Sequence, residues 1–135
     1  MNRNVEDEAA AGAAARATCD VGTLRGTYLW ADNGVKATAG KPFAGAGYEW
    51  FDGNGNIEGV STANDDGAIT NGSFKGTYVV NADCTGSSTY PGNPEFKYDL
   101  FIHPEGDMLT WVQTKPRRGV VSAVEQRVTL KRVVA

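Results

Sequence analysis

Apolar and polar residues alternate along most of this chain in short runs, each cut off by a cluster of glycine, asparagine, aspartate or proline. Alternation with period two sends successive side chains to opposite faces, and so predicts β-strands. The clearest case is the segment 48–59, where two strand-like runs flank Asp52-Gly53-Asn54-Gly55-Asn56. Gly53 and Gly55 admit positive φ without a Cβ clash, and Asn54 and Asn56 tolerate the left-handed region better than most residues. The segment reads as a β-hairpin.

The rest of the chain repeats this theme. Residues 24–30 alternate, with Leu24, Gly26, Tyr28 and Trp30 on one face, and Asp32-Asn33-Gly34 predicts a break. A second strand covers 43–51, with small residues on both faces at Ala44-Gly45-Ala46-Gly47, which leaves room for sharp coiling or close approach. A third covers 57–62, and a long fourth covers 69–80, bent at Gly72 or Gly76. A short strand follows at 84–89, then a break at Pro91-Gly92-Asn93-Pro94. Residues 96–103 bring Phe96, Tyr98, Leu100 and Ile102 together, and 108–114 run back after a turn. A last strand at 120–134 puts Val120, Val124, Val128 and Leu130 on one face.

Seven or eight closely spaced strands with no amphipathic helix between them argue for an all-β antiparallel barrel or sandwich. A barrel of about eight strands over 19–135 is preferred, because closure removes the exposed edges that invite aggregation. Residues 1–18 are acidic and then alanine-rich, and read as a tail or a short helix outside it.

Bulk properties narrow the field. The 135 residues make one domain, and a formal charge of -3 gives no basic surplus to recommend nucleic acid. Lys115, Arg117 and Arg118 form a small basic knot, which Pro116 and Gly119 mark as a turn. No apolar run approaches the ~20 residues of a membrane span. Cys19 and Cys84 have no CxxC or Cys/His companion, which argues against zinc and leaves either one long-range disulfide or two buried thiols. The start of the sequence does not read as an intact signal peptide, since Glu6, Asp7 and Glu8 precede the alanines. The expectation is a cytoplasmic chain, or a secreted or periplasmic one whose signal has been removed.

Five short segments carry a resemblance: Leu24-x-Gly-Thr-Tyr28, Phe51-Asp-Gly-Asn-Gly-Asn56, Gly76-Thr-Tyr78, Asn81-x-Asp-Cys-Thr-Gly86 and Gln113-Thr-x-Pro116. Together they resemble a group of small exported bacterial β-barrel proteins, mostly of unassigned function. The chain is similar in outline to calycin and allene-oxide-cyclase-like barrels over residues 19–127. The resemblance implies a barrel, export and a Cys19–Cys84 bridge. Barrels of that shape include binders of apolar ligands and catalysts of cyclisation, so the resemblance supplies no reaction. One departure stands out: the position of Glu49 is more usually apolar and inward in such proteins. If Phe51 faces inward, alternation takes Glu49 with it; the opposite register puts Tyr48 and Trp50 inside.

No nucleophile elbow, P-loop, dinucleotide fingerprint or HExxH is present. His103, the single histidine, precedes Pro104 at a strand end, where a turn role competes with a catalytic one. Asp52, Asp65, Asp66 and Asp107 fall in turns with no metal-loop spacing. Tyr28, Trp30, Tyr48, Trp50, Tyr78, Tyr98 and Trp111 could wall a lumen, since eight-stranded barrels hold either packed side chains or one small ligand. A carboxyl among such rings has a raised pKa and can exchange a proton near neutrality. The catalytic candidates are therefore Glu49, Tyr28, Tyr98 and His103; the ligand-binding candidates are Trp30, Phe51, Tyr78, Trp111 and Gln126. Three classes follow: binding of a small, largely apolar molecule; a cofactor-free cyclase, isomerase or lyase using Glu49; or an exported structural or interaction domain with a filled core.

Overall fold

A computed structural model describes residues 18–36 and 40–133, so the tail or helix expected before Cys19 lies almost wholly outside the described residues. A 3-10 turn at Val21–Thr23 leads into eight strands: β1 Arg25–Val35, β2 Pro42–Asp52, β3 Asn56–Asp65, β4 Ala68–Val80, β5 Thr85–Tyr90, β6 Phe96–Ile102, β7 Met108–Lys115 and β8 Val120–Thr129. Each pairs antiparallel with its chain neighbour, and β8 closes on β1. The protein is a closed eight-stranded antiparallel barrel. No helix among the described residues is long and apolar enough to cross a membrane.

The β2–β3 hairpin turns where its sequence demands. Gly53 and Gly55 sit at φ 81° and 100°. Asp52 Oδ1 accepts the amides of Asn54 and Asn56 at 2.7 and 3.0 Å, and Oδ2 accepts the Asn56 side chain at 2.8 Å. The break expected at Asp32-Asn33-Gly34 is absent. These residues pair with both β2 and β8, and ladder bonds on two sides override their turn preference. On β8 the shared face of Val120, Val124 and Val128 is the outer one; Val121, Ala123 and Glu125 are the more buried set.

One end of the barrel is packed solid. Phe51 meets Tyr28 on one side and Tyr78 on the other, edge to face and 5.0 Å from each between centroids, with Leu24 and Ile57 buried beside them. The Tyr78 hydroxyl donates to the Leu24 carbonyl at 2.7 Å, and the Tyr28 hydroxyl donates to the carbonyl of Gly106. Cys19 and Cys84 are joined by a disulfide that ties the segment before β1 to the start of β5. This floor leaves the other half of the barrel to be filled or left open.

It is left open, and two of its rings are seated beside glycines in the wall. Gly59 on β3 faces inward opposite Phe74 on β4, and a Cβ there would come within 2.1 Å of the Phe74 ring. Gly76 on β4 does the same for Tyr90, whose ring would meet a Cβ at 2.7 Å. Glycine gives each ring a seat in the wall, where a larger residue would push it into the centre.

Candidate functional site

Above the floor lies a cavity of about 290 Å³. An aromatic belt runs round it: Trp30 on β1, Trp111 on β7, Tyr98 on β6, Tyr90 on β5 and Phe74 on β4, each ring edge-on to the next at 4.7–6.4 Å. Such a wall suits an apolar ligand held by a few placed polar groups.

Those polar groups are acids. Glu49 on β2 and Glu125 on β8 both point into the cavity and are 4% and 1% exposed. β1 separates them in the sheet, with Tyr28 opposite Glu49 and Trp30 opposite Glu125. On its inward side the two carboxyls lie close enough to couple electrostatically. The Tyr90 hydroxyl donates to Glu49 Oε1, and Trp111 Nε1 donates to Glu125 Oε1 at 3.1 Å. Glu125 Oε2 has no hydrogen-bond partner among the described residues.

Two carboxyls in contact in a dry wall cannot both ionise. Burial pushes both upward. For Glu125 the charge on Glu49 adds to the rise, lifting it well above the usual carboxylate range. For Glu49 the interactions with Glu125 and Tyr90 work against the burial. The pair therefore favours holding one proton between its two carboxyls, and its titration belongs to the pair as a whole.

A third acid stands towards the opposite end. Asp32, two residues beyond Trp30 on the same face of β1, is 9% exposed and lines the cavity. Burial raises its pKa to about 6, against the pull of the Gly45 amide. Among the described residues its Oδ1 has no hydrogen-bond partner, and neither has Trp30 Nε1. Gly45 makes room for the carboxylate, since a Cβ there would lie 2.7 Å from Asp32 Oδ1. No Lys, Arg or His lines the cavity among the described residues. The nearest inward cation on β8, Arg127, is turned to the floor, where it donates to the carbonyls of Arg25 and Gly106 and to the Tyr28 hydroxyl.

The sequence candidates divide by place. Glu49, Trp30, Phe51, Tyr98 and Trp111 line the cavity, with Phe51 inward and Tyr48 and Trp50 turned outward. Tyr28 and Tyr78 belong to the floor, their hydroxyls used on backbone carbonyls. Gln126 faces out of the barrel, and the acid before it faces in. His103 sits in the β6–β7 turn, where Nδ1 accepts the Glu105 amide at 3.2 Å and lies 3.2 Å from Asp107. The sequence reading passed over Glu125, Tyr90 and Asp32. Asp32 was within reach, since it extends the face already defined by Tyr28 and Trp30. The valines of β8 hid Glu125 by drawing attention to the other parity.

No metal-ligating cluster of three or more groups occurs among the described residues. No family model matches this chain, nor does any curated protein or solved structure.

Proposed function

We propose that the barrel binds one small, largely apolar molecule in its lumen and moves a proton on it, as a cofactor-free isomerase, cyclase or lyase with Glu49 as the acid or base. The observation that carries this reading is the Glu49–Glu125 pair in the wall of an open apolar cavity. Leucines at both positions would pack the same space without burying charge, so the acids are costly as structure. As chemistry they suit the site: a desolvated carboxylate is a stronger base than one in water, and a neutral neighbour can return the proton. The aromatic belt would orient the molecule against them. The cavity also speaks against a domain whose core is filled.

The Cys19–Cys84 bridge supports an extracytoplasmic setting, secreted or periplasmic, since such bonds persist where the surroundings are oxidising. That agrees with the resemblance to small exported bacterial barrels.

A generic carbon acid tests the chemistry without knowledge of the native substrate. 5-Nitrobenzisoxazole loses its C3 proton to a base, its N–O bond breaks, and a coloured cyanophenolate appears. The wild type should open it saturably, with a rate that climbs through a pKa above the ordinary carboxylate range. Glu49→Gln should lose at least 100-fold, whereas Glu125→Gln, which still offers Glu49 a donor, should lose less. Saturable binding with equal ring-opening by wild type and Glu49→Gln would leave the second reading, a lumen that binds and does no chemistry. The predominantly apolar lining favours that reading if the acids prove inert.

A further inference from the structure

We propose that the lumen takes its apolar ligand as a cation, a small hydrophobic amine in its protonated form, with the ammonium held by Asp32 and the apolar body lying along the aromatic belt towards Glu49 and Glu125. This rests on the reading that the lumen is a ligand site, and names the class of molecule that the site accepts.

Three observations converge on it. The first is an imbalance of charge: three acids line the cavity, and no basic side chain among the described residues does. The Glu49–Glu125 pair can lower its own charge by sharing a proton. Asp32 has no such partner, and a carboxylate buried without a counter-charge is expensive. The second is an unsatisfied acceptor. Asp32 is nine-tenths buried, lines the cavity, and its Oδ1 receives no hydrogen bond from any described residue. An ammonium donates up to three and accepts none, so it satisfies this oxygen and neutralises it together. The third is the wall itself. Trp30, two residues from Asp32 on the same face, begins the belt of rings, and ring faces attract cations that have left water. Lys36 near the mouth does not supply the missing charge, because its ammonium is 2.8 Å from Asp65.

Asp32 and the glutamate pair lie at different depths. In the β1–β2 ladder Asp32 is opposite Gly45, whereas Glu49 is opposite Tyr28, four residues nearer the floor. A ligand anchored at Asp32 by its nitrogen would thus present its far end to the carboxyl pair. The anchor and the proton-transfer group are separate.

The test uses two bicyclic probes of matched shape, 1-naphthylmethylamine and 1-naphthalenemethanol, titrated calorimetrically at pH 7.5, where the amine is protonated. The amine should bind at least tenfold more tightly than the alcohol. In Asp32→Asn that preference should shrink to within about threefold, while the alcohol still binds saturably and a thermal melt like that of the wild type shows that the variant is folded. Equal affinities, or a preference for the alcohol, would overturn the amine assignment and leave the lumen as a site for neutral molecules. A preference that survives in Asp32→Asn would overturn Asp32 as the anchor. Binding of neither probe would overturn the lumen reading itself, and this one with it.

Discussion

At the scale of residues, the fold places acids where water is scarce. Glu49 loses hydration, gains a hydrogen bond from Tyr90 and couples to Glu125, and its pKa still lies above the ordinary value. A carboxyl whose folded pKa exceeds its unfolded one costs stability as pH rises. The cost begins near the unfolded value, ~4.3 for glutamate, and grows until the folded value is passed. Glu49→Gln removes this cost and keeps the shape, with its amide able to accept from Tyr90 and donate to Glu125. The variant should be more stable than the wild type by about 1–2 kcal/mol near pH 7.5, and the gap should close as pH falls towards 4. Thermal or denaturant melts of the two proteins across that range measure it. A variant less stable at neutral pH, or a gap independent of pH, would mean that Glu49 is not held in the manner described. The sequence marked Glu49 as the acid to watch through its departure from an apolar position. It could not say that Glu125 would meet it, because partners on β2 and β8 are joined only when the barrel closes around β1.

At the scale of elements, strands were legible wherever alternation was strict, as in β6, where Phe96, Tyr98, Leu100 and Ile102 share the inner face. Turn residues misled where a strand is paired on both sides: Asp32-Asn33-Gly34 stays in β1 because β2 and β8 both hold it. Parity misled on β8, where apolar valines cover the outside and an acid points in. Hydrophobicity alone does not choose a face when the inner one lines a hollow. The glycines were legible as space, but not as seats for rings on the next strand. That relation is testable. In Gly59→Ala the new Cβ would come within 2.1 Å of the Phe74 ring, so the ring must shift, and it already lines the cavity. The variant should lose about 1–3 kcal/mol of stability. It should also bind 1-naphthalenemethanol at least tenfold more weakly, because the displaced ring takes up cavity. Unchanged affinity, measured calorimetrically, would show that Phe74 had found room elsewhere.

At the scale of the whole molecule, the barrel divides into a floor that provides stability and a lumen that forgoes it. The floor concentrates the interlocked rings of Tyr28, Phe51 and Tyr78, the bonds of Arg127 to the chain, and the bridge between Cys19 and Cys84. A link closing a loop of 65 residues restricts the unfolded chain strongly, with a stabilisation of roughly 4 kcal/mol expected for such a length. That reserve makes a hollow upper half with three buried acids tolerable. The central claim is that two of those acids share one proton inside the lumen. Carbon-13 NMR of the side-chain carboxyls in glutamate-labelled protein, assigned through Glu49→Gln and Glu125→Gln and followed across pH, tests it most directly. One neutral and one ionised carboxyl are expected near pH 7, the pair of signals collapsing to one in either variant and the two titrating as a linked pair above the ordinary range. Two independent titrations, each near ~4.3 as for glutamates in water, would contradict it.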